Sequence, residues 1–126
     1  MILGTGTDIT TLARISRGLE RFGSRFARRI LDDEEMAVLP EGPGAAAFLA
    51  GRWAAKEACA KALGTGFAMG IGPSDMRVFN NALGAPYLDL KGPAKARFEE
   101  LGCARAHVSI SHDRESAIAF VILEGD

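Results

Sequence analysis

The chain has 126 residues, 48% of them hydrophobic and 25% charged, with a formal net charge of −1 at pH 7. This length predicts one domain, residues 1–126, built around one core. The near-neutral charge excludes a global basic field for nucleic acid, and no apolar run resembles a membrane span or a secretory leader. We therefore expect a cytoplasmic protein without nucleic-acid or membrane partners. The two cysteines, Cys59 and Cys103, lack the spacing of a metal site.

The first predicted element is a short strand over residues 2–9. Gly4 and Gly6 lie within it, where the missing side chains leave room for close approach of another backbone. Thr10 or Thr11 can cap a following helix, because their hydroxyl groups accept hydrogen bonds from its first free N–H groups. The sequence therefore predicts a change from strand to helix at this point.

Arginines dominate the helical segment that comes next, residues 12–30. Apolar residues at helical spacing predict that one face turns inward, with an interruption at Gly23. Six arginines stand against a single acid in this segment: Arg14, Arg17, Arg21, Arg25, Arg28 and Arg29. This excess indicates an acidic partner surface, and a solvated helix face is the alternative. A short helix is then predicted to begin at Asp32 or Asp33, before a loop over residues 40–44.

A long alanine-rich helix from about residue 45 to 63 is the most distinctive predicted element, since alanine is the best helix former. Gly64 suits the left-handed conformation of a helix C-cap. Trp53, Glu57 and Lys61 are spaced four apart, which places them on one face of this helix. Glu57 and Lys61 are therefore either an exposed ion pair or charged groups of a functional site.

The second half of the chain predicts mostly strands. In order, the predicted segments are a glycine-rich loop over residues 64–72, a hairpin of strands 75–80 and 86–90, a helix over 92–101, and a second hairpin of strands 106–111 and 116–123. One strand, then helices, then mostly strands predicts an α+β fold. In this fold a small antiparallel sheet packs against the long alanine-rich helix.

Two carboxylates in separate segments, Asp8 and Glu57, are candidates for a shared metal site. If they converge, two hard oxygen ligands face one point, and Mg²⁺ is commonly held by such a pair together with waters and a substrate phosphate. A turn or helix-capping acid is the alternative for Asp8. Arg52 and Lys61 are expected on or near the face of Glu57, where their charges can neutralise phosphates.

Two loops could also contact a phosphate. His112 and Asp113 lie at the tip of the second predicted hairpin, where the imidazole can donate a hydrogen bond or move a proton, or can simply be solvated. The glycine-rich loop over residues 64–72 could expose backbone N–H groups to an anion. It lacks the Gly-Lys-Ser/Thr of a Walker loop and is weak evidence alone.

Four blocks of sequence resemble the bacterial holo-acyl-carrier-protein synthases, the small phosphopantetheinyl transferases. The blocks are GTGTDI at residues 4–9, RFARRIL at 25–31, FLAGRWAAKEA at 48–58 with Lys61 and GTG at 64–66, and HVSISH at 107–112. Trp53 stands where the family more usually has Phe. The blocks keep the family's order and spacing, so the resemblance covers nearly the whole chain.

The resemblance implies transfer of 4′-phosphopantetheine from coenzyme A to a serine of an apo acyl carrier protein. The products would be the holo carrier of fatty-acid biosynthesis and adenosine 3′,5′-bisphosphate. It also implies a trimer with active sites between subunits. The implied residue roles are Asp8 and Glu57 for Mg²⁺, Lys61 for the transferred phosphate, Arg52 and His112 for coenzyme A phosphates, Gly84 and Pro86 beside the adenine, and Arg14, Arg21, Arg25 and Arg28 for the acidic carrier.

The residue that accepts the serine proton stays open between Glu57, acting through a water, and the corner formed by His112 and Asp113. Three alternative functions also remain: the same transfer to polyketide or other carrier domains, a non-catalytic module that binds an acidic helix through its arginines, and a metal-dependent phosphohydrolase. The combination of Asp8, Glu57 and Lys61 argues against the binding module, which needs none of them.

Overall fold

The computed structural model describes all residues from 1 to 126 and confirms the α+β class. Its helices and strands are β1 (Ile2–Thr11), α1 (Leu12–Phe22), α2 (Ser24–Arg28), α3 (Asp33–Met36), α4 (Ala45–Ala62), β2 (Met76–Asn80), β3 (Pro86–Leu90), α5 (Gly92–Glu100), β4 (Cys103–His112) and β5 (Ser116–Gly125). Both predicted hairpins and the long alanine-rich helix are present. None of the helices combines the length and hydropathy that crossing a bilayer requires.

The strands form two separate antiparallel sheets. A three-stranded sheet has the order β1-β5-β4, and the β2–β3 hairpin forms a sheet of its own. Alternate residues of β5 turn inward and are buried with α4, as strand geometry requires: Ala117, Ala119, Val121 and Leu123. Because the residues between them face the other way, the three-stranded sheet has a second, outer face that the chain itself does not cover.

Strand β1 packs unusually close to α4, as the two glycines predict. A Cβ atom placed on Gly6 would lie 1.9 Å from the carbonyl oxygen of Ala58, and one on Gly4 would lie 2.2 Å from that of Ala62. Only hydrogen fits at these positions, so the strand backbone rests directly on the helix backbone. This contact fixes Asp8, two residues beyond Gly6 on the same face of the strand, over the helix.

The arginine-rich segment is interrupted at Gly23, as its sequence predicts. Helix α1 ends at Gly23, whose φ of +58° few residues other than glycine adopt, and α2 begins immediately after it. Thr11 occupies the N-cap position of α1 but makes no side-chain capping hydrogen bond. The hydroxyl of Thr10 instead donates to the Asp8 carboxylate, at 3.3 Å from its Oδ2.

Candidate active site

Asp8, Glu57 and Lys61 come together where β1 crosses α4. The Lys61 ammonium donates to Oδ1 of Asp8 and to the carbonyl oxygen of Thr7, each at 3.0 Å. Asp8 raises the pKa of Glu57, so the two carboxylates are close enough to interact. This interaction agrees with the expected convergence of Asp8 and Glu57. The simple Glu57–Lys61 surface pair is not present, because Lys61 pairs with Asp8.

The charge of this cluster acts most strongly on Glu57. Partial burial raises the pKa of Glu57, and the neighbouring Asp8 raises it further through a hydrogen bond and like-charge repulsion. The positive charges of Arg14 and Lys61 oppose that rise in pKa without cancelling it. The two carboxylates thus lie close enough to repel each other, a repulsion that a bound cation would relieve.

The donor set fits Mg²⁺ better than a metal that requires a full shell of protein ligands. No group of three or more His, Cys, Asp and Glu side chains is arranged around one point. Two hard carboxylate ligands, with water and phosphate oxygens completing the shell, are typical of Mg²⁺ sites in phosphoryl-transfer proteins. Asp8 and Glu57 are the residues that could hold such an ion.

Arg52 does not lie beside Glu57, and that expectation is wrong. Glu57 is five positions after Arg52, which turns their side chains about 140° apart around α4. The Arg52 guanidinium packs over the ring of Phe48, 4.0 Å from its centre, and donates to Oδ1 of Asn80 at 3.3 Å. The Nε atom of Arg52 is buried without a hydrogen-bond partner. Arg52 therefore faces the β2–β3 hairpin with spare donor capacity.

Gly84 lies in the hairpin turn that begins just after Asn80, and Pro86 begins β3 opposite Asn80. The side chain of Asn81 closes this turn by accepting hydrogen bonds from the backbone N–H groups of Leu83 and Ala85, at 2.9 and 3.0 Å. Gly84 has a φ of +89° and open space on its Cα, so a flat ligand can approach its backbone. The structure thus brings Arg52, Gly84 and Pro86 into one region, which we call the hairpin cluster together with Asn80. Nothing in the sequence beyond a polar residue at a strand end points to Asn80.

His112 and Asp113 are not brought to the carboxylates within one chain. His112 ends β4, and β5 separates that strand from β1, so the two strands lie about 10 Å apart. Asp113 closes the β4–β5 turn, with Oδ1 accepting from the N–H groups of Glu115 and Ser116 at 2.8 and 2.9 Å. These hydrogen bonds lower the pKa of Asp113. His112 lines a shallow cavity of about 230 Å³ that also contacts Ile9 and Ile118.

The six arginines of α1, α2 and the residue after α2, Arg29, are all exposed, and we call them the arginine surface. Arg28 is paired with Asp33, at 3.3 Å, and the other five make no ion pair. Arg14 reaches furthest toward the carboxylates, as its effect on the Glu57 pKa indicates. Arg14 and Arg29 flank an apolar cavity of about 160 Å³, completed by Ile15, Phe26, Ile30 and Trp53.

A buried ion pair between Glu35 and Lys56 lies next to the site, and no sequence pattern indicates it. The Lys56 Nζ donates to Oε1 of Glu35 at 2.6 Å, and both side chains are at most 1% exposed. Burial lowers the pKa of Lys56, and the Glu35 carboxylate opposes that change. Cys59, one turn further along α4, is also fully buried, which raises the pKa of its thiol to about 12 and makes it inert as a nucleophile.

Residues 4–121 match the model of the 4′-phosphopantetheinyl transferase superfamily. The chain is 56% identical to the holo-[acyl-carrier-protein] synthase of Nitratidesulfovibrio vulgaris strain DP4 over 98% of this chain and 99% of that protein. The crystal structure of the Neisseria meningitidis holo-[acyl-carrier-protein] synthase superposes with a TM-score of 0.88, at 42% identity over 98% of this chain and 99% of that one. The Bacillus anthracis synthase, in complex with CoA (3′,5′-ADP), superposes with a TM-score of 0.84, at 38% identity over 100% and 99% of the two chains.

The two carboxylates, the lysine and the hairpin cluster thus occur on a chain that matches these proteins along nearly its full length. The chain belongs to the 4′-phosphopantetheinyl transferase superfamily, within its holo-[acyl-carrier-protein] synthase group, and it is an enzyme.

Proposed function

We propose that this enzyme transfers 4′-phosphopantetheine from coenzyme A to a serine of an apo acyl carrier protein, as a cytoplasmic step of fatty-acid biosynthesis. The observation that carries the proposal is the pairing of Asp8 with Lys61 beside Glu57, whose pKa Asp8 raises. This arrangement would supply two metal ligands and one cation in one place. The Bacillus anthracis relative, whose structure is a complex with CoA (3′,5′-ADP), supports coenzyme A as the co-substrate.

The reaction is a displacement at phosphorus. The serine oxygen forms a bond to the coenzyme A phosphorus that carries pantetheine, the bond from that phosphorus to the other phosphate breaks, and adenosine 3′,5′-bisphosphate leaves with the electron pair. Mg²⁺ held by Asp8 and Glu57 would neutralise charge on the phosphate oxygens. The Lys61 ammonium, fixed by Asp8 and the Thr7 carbonyl, adds a positive charge at the same place.

Glu57 is the better of the two carboxylate candidates for accepting the serine proton. A general base must be within reach of the proton that it accepts, directly or through one water. Glu57 lies beside Asp8, whose carboxylate pairs with Lys61 at the point proposed for the reacting phosphate. The Asp113 carboxylate lies away from that point and already accepts the turn hydrogen bonds of Glu115 and Ser116, which lower its pKa. We therefore propose that Glu57 removes the serine proton through a water. Asp113 instead stabilises the turn that positions His112.

The nucleotide half of coenzyme A fits the hairpin cluster. Arg52 offers a buried guanidinium with a free Nε–H, and Gly84 offers an open backbone for a flat base beside Pro86. Arg52 and Glu57 share α4, so one rigid helix would span from the nucleotide to the reacting phosphate. His112 is proposed as a further phosphate contact, contributed at the subunit boundary.

We propose a homotrimer, because the outer face of the three-stranded sheet carries an uncovered apolar patch. Ile9 and Ile118 are paired across β1 and β5 on this face, and both are about half exposed or more, as is Phe120 two residues further along β5. Exposed apolar surface of this kind marks a protein contact. The His112 cavity opens at the edge of the same face, so packing of subunits there would complete its surroundings.

Light scattering should give about three times the chain mass of 13.4 kDa for the wild-type protein. Phe120→Glu places a charge in the proposed interface and should shift the mass to that of one chain. Val38→Glu, at another exposed apolar position, is the matched control and should leave the trimer intact. A fully active wild-type monomer would contradict the proposed assembly.

The arginine surface is proposed to bind the acidic carrier. Arg14→Glu should raise the KM for the carrier by about 5- to 10-fold, since reversing one exposed charge costs on the order of 1 kcal/mol, and should change the KM for coenzyme A little. Added salt should raise the carrier KM of the wild type, because the Debye length of the solution shortens below ~8 Å. Lys95→Glu on α5 makes the same change in net charge and is the control. If Arg14→Glu and Arg21→Glu leave the carrier KM and its salt dependence unchanged, the arginines do not bind the carrier and form only a solvated helix face.

Formation of adenosine 3′,5′-bisphosphate tests the reaction class. The wild-type enzyme with Mg²⁺ and coenzyme A should release this product only when apo carrier is added, in a 1:1 ratio to carrier modified. Release without carrier would instead support a metal-dependent phosphohydrolase.

A further inference from the structure

The Glu35 carboxylate is the centre of a buried network that the proposed mechanism does not use. Its Oε1 accepts from the Lys56 ammonium at 2.6 Å and from the Asp32 N–H at 3.2 Å. Its Oε2 accepts from the N–H of Val78 at 3.1 Å. One buried side chain thus joins α3, α4 and β2, three elements that are distant in the sequence.

The contact with Val78 is made at an edge of the hairpin that no strand covers. Strand β2 pairs only with β3, so N–H groups on its other edge need a different acceptor. Glu35 supplies one at the middle of β2. Lys56 donates to the carbonyl oxygen of Pro73, just before β2, and Arg52 donates to Asn80 at its end.

Polar contacts from α3 and α4 therefore hold this edge at its beginning, middle and end. The charge of Glu35 acts on both buried cations of α4, Arg52 and Lys56. A second link between α3 and β2, from Glu34 to Arg77 at 2.8 Å, lies at the surface, and the Glu34 side chain is 70% exposed. The two neighbouring glutamates thus make a buried and an exposed contact with the same strand.

We propose that Glu35, together with Lys56, is a positioning residue that fixes the hairpin cluster against α4 and so sets the affinity of the enzyme for the nucleotide half of coenzyme A. This inference rests on the proposed function, in which Arg52 and the hairpin turn bind that half. Arg52 can meet a phosphate only if Asn80 and the turn after it keep their place, and the Glu35–Val78 hydrogen bond lies two residues from Asn80 on β2.

The test compares Glu35→Gln with Glu34→Gln, the same substitution at the adjacent residue. Binding of adenosine 3′,5′-bisphosphate is measured by calorimetry, and exchange of the Val78 amide hydrogen is measured by NMR. In Glu35→Gln we expect a Kd at least about 10-fold higher, faster Val78 exchange and a higher KM for coenzyme A, with kcat within about threefold of wild type. Glu34→Gln should resemble wild type in all four quantities.

A second variant covers the case in which Glu35→Gln fails to fold, since that substitution leaves the Lys56 ammonium buried beside a neutral amide. The double variant Glu35→Leu/Lys56→Met replaces the pair by apolar groups of similar size, a change that proteins often tolerate. It should fold, lose Val78 protection and bind adenosine 3′,5′-bisphosphate at least about 10-fold more weakly than wild type, as a positioning role for the pair requires.

A folded variant without the Glu35 carboxylate that binds adenosine 3′,5′-bisphosphate as tightly as wild type would overturn the inference. Equal losses in Glu34→Gln would also overturn it, because the effect would then be a general one of α3. Failure of the wild-type enzyme to bind the nucleotide would instead count against the proposed function, and unchanged Val78 exchange would still reject the role of Glu35 in holding the hairpin.

Discussion

Asp8→Asn and Glu57→Gln are each expected to lower kcat/KM for the carrier by about 10³-fold or more, the scale on which loss of a charge-stabilising group acts in catalysis. Each substitution keeps the size of the side chain and removes one of the two interacting carboxylates at the crossing of β1 and α4. The loss should persist across a Mg²⁺ titration. If either variant retains near-wild-type turnover, the proposal that Asp8 and Glu57 share a metal ion is wrong.

Stability without metal supplies the control for folding. The pKa of Glu57 is raised in the folded protein. The Glu57 carboxyl group therefore contributes to stability at a pH below its pKa in the unfolded chain. This contribution is lost as the pH rises through its pKa in the folded protein. Above that pH, in EDTA, Glu57→Gln should unfold at the same temperature as wild type or a higher one. Added Mg²⁺ should stabilise the wild type and leave the variant unchanged.

Gly6→Ala is expected to destabilise the protein by about 3 kcal/mol and to lower its Tm by about 10 °C. The added methyl group would lie 1.9 Å from the carbonyl oxygen of Ala58, and both partners are backbone, so neither can move aside without displacing β1 or α4. Displacement would also separate Asp8 from Glu57 and Lys61. We therefore expect activity to fall even at temperatures at which the variant remains folded.

Gly72→Ala is the matched control for this substitution. Its φ of −126° suits any residue, and no atom lies within 4 Å of an added Cβ. Thermal unfolding followed by circular dichroism, with transfer activity measured below both transitions, compares the two variants. A Gly6→Ala protein as stable and as active as Gly72→Ala would show that close packing of β1 on α4 does not hold the site together.

Much of the carboxylate cluster could be predicted because short-range patterns determine it. Gly4 and Gly6 indicate close backbone packing, strand alternation places Asp8 on the glycine face, and helical spacing places Glu57 and Lys61 on one face of α4. The second hairpin and the helix over residues 92–101 follow equally local signals of alternation and glycine or proline punctuation.

Contacts that depend on the arrangement of distant elements could not be predicted in this way. Glu35 and Lys56 are 21 residues apart, on different helices. No local sequence pattern around either residue indicates that the two form a pair. The wrong prediction for Arg52 has a similar origin. A residue that is close to Glu57 in sequence does not have to lie on the same face of the helix as Glu57. The distance between His112 and Asp8 follows from the sheet order β1-β5-β4, which the sequence of strands alone does not specify.

The intact mass of the carrier protein tests the proposed reaction most directly. Apo acyl carrier protein is incubated with the enzyme, coenzyme A and Mg²⁺, beside a carrier whose acceptor serine is replaced by alanine and beside the Asp8→Asn enzyme. We predict that the wild-type pair alone gains the mass of one phosphopantetheine group, located on that serine by fragmentation. An unmodified carrier after prolonged incubation with folded enzyme, or the same mass gain on the alanine carrier, would contradict transfer to the serine.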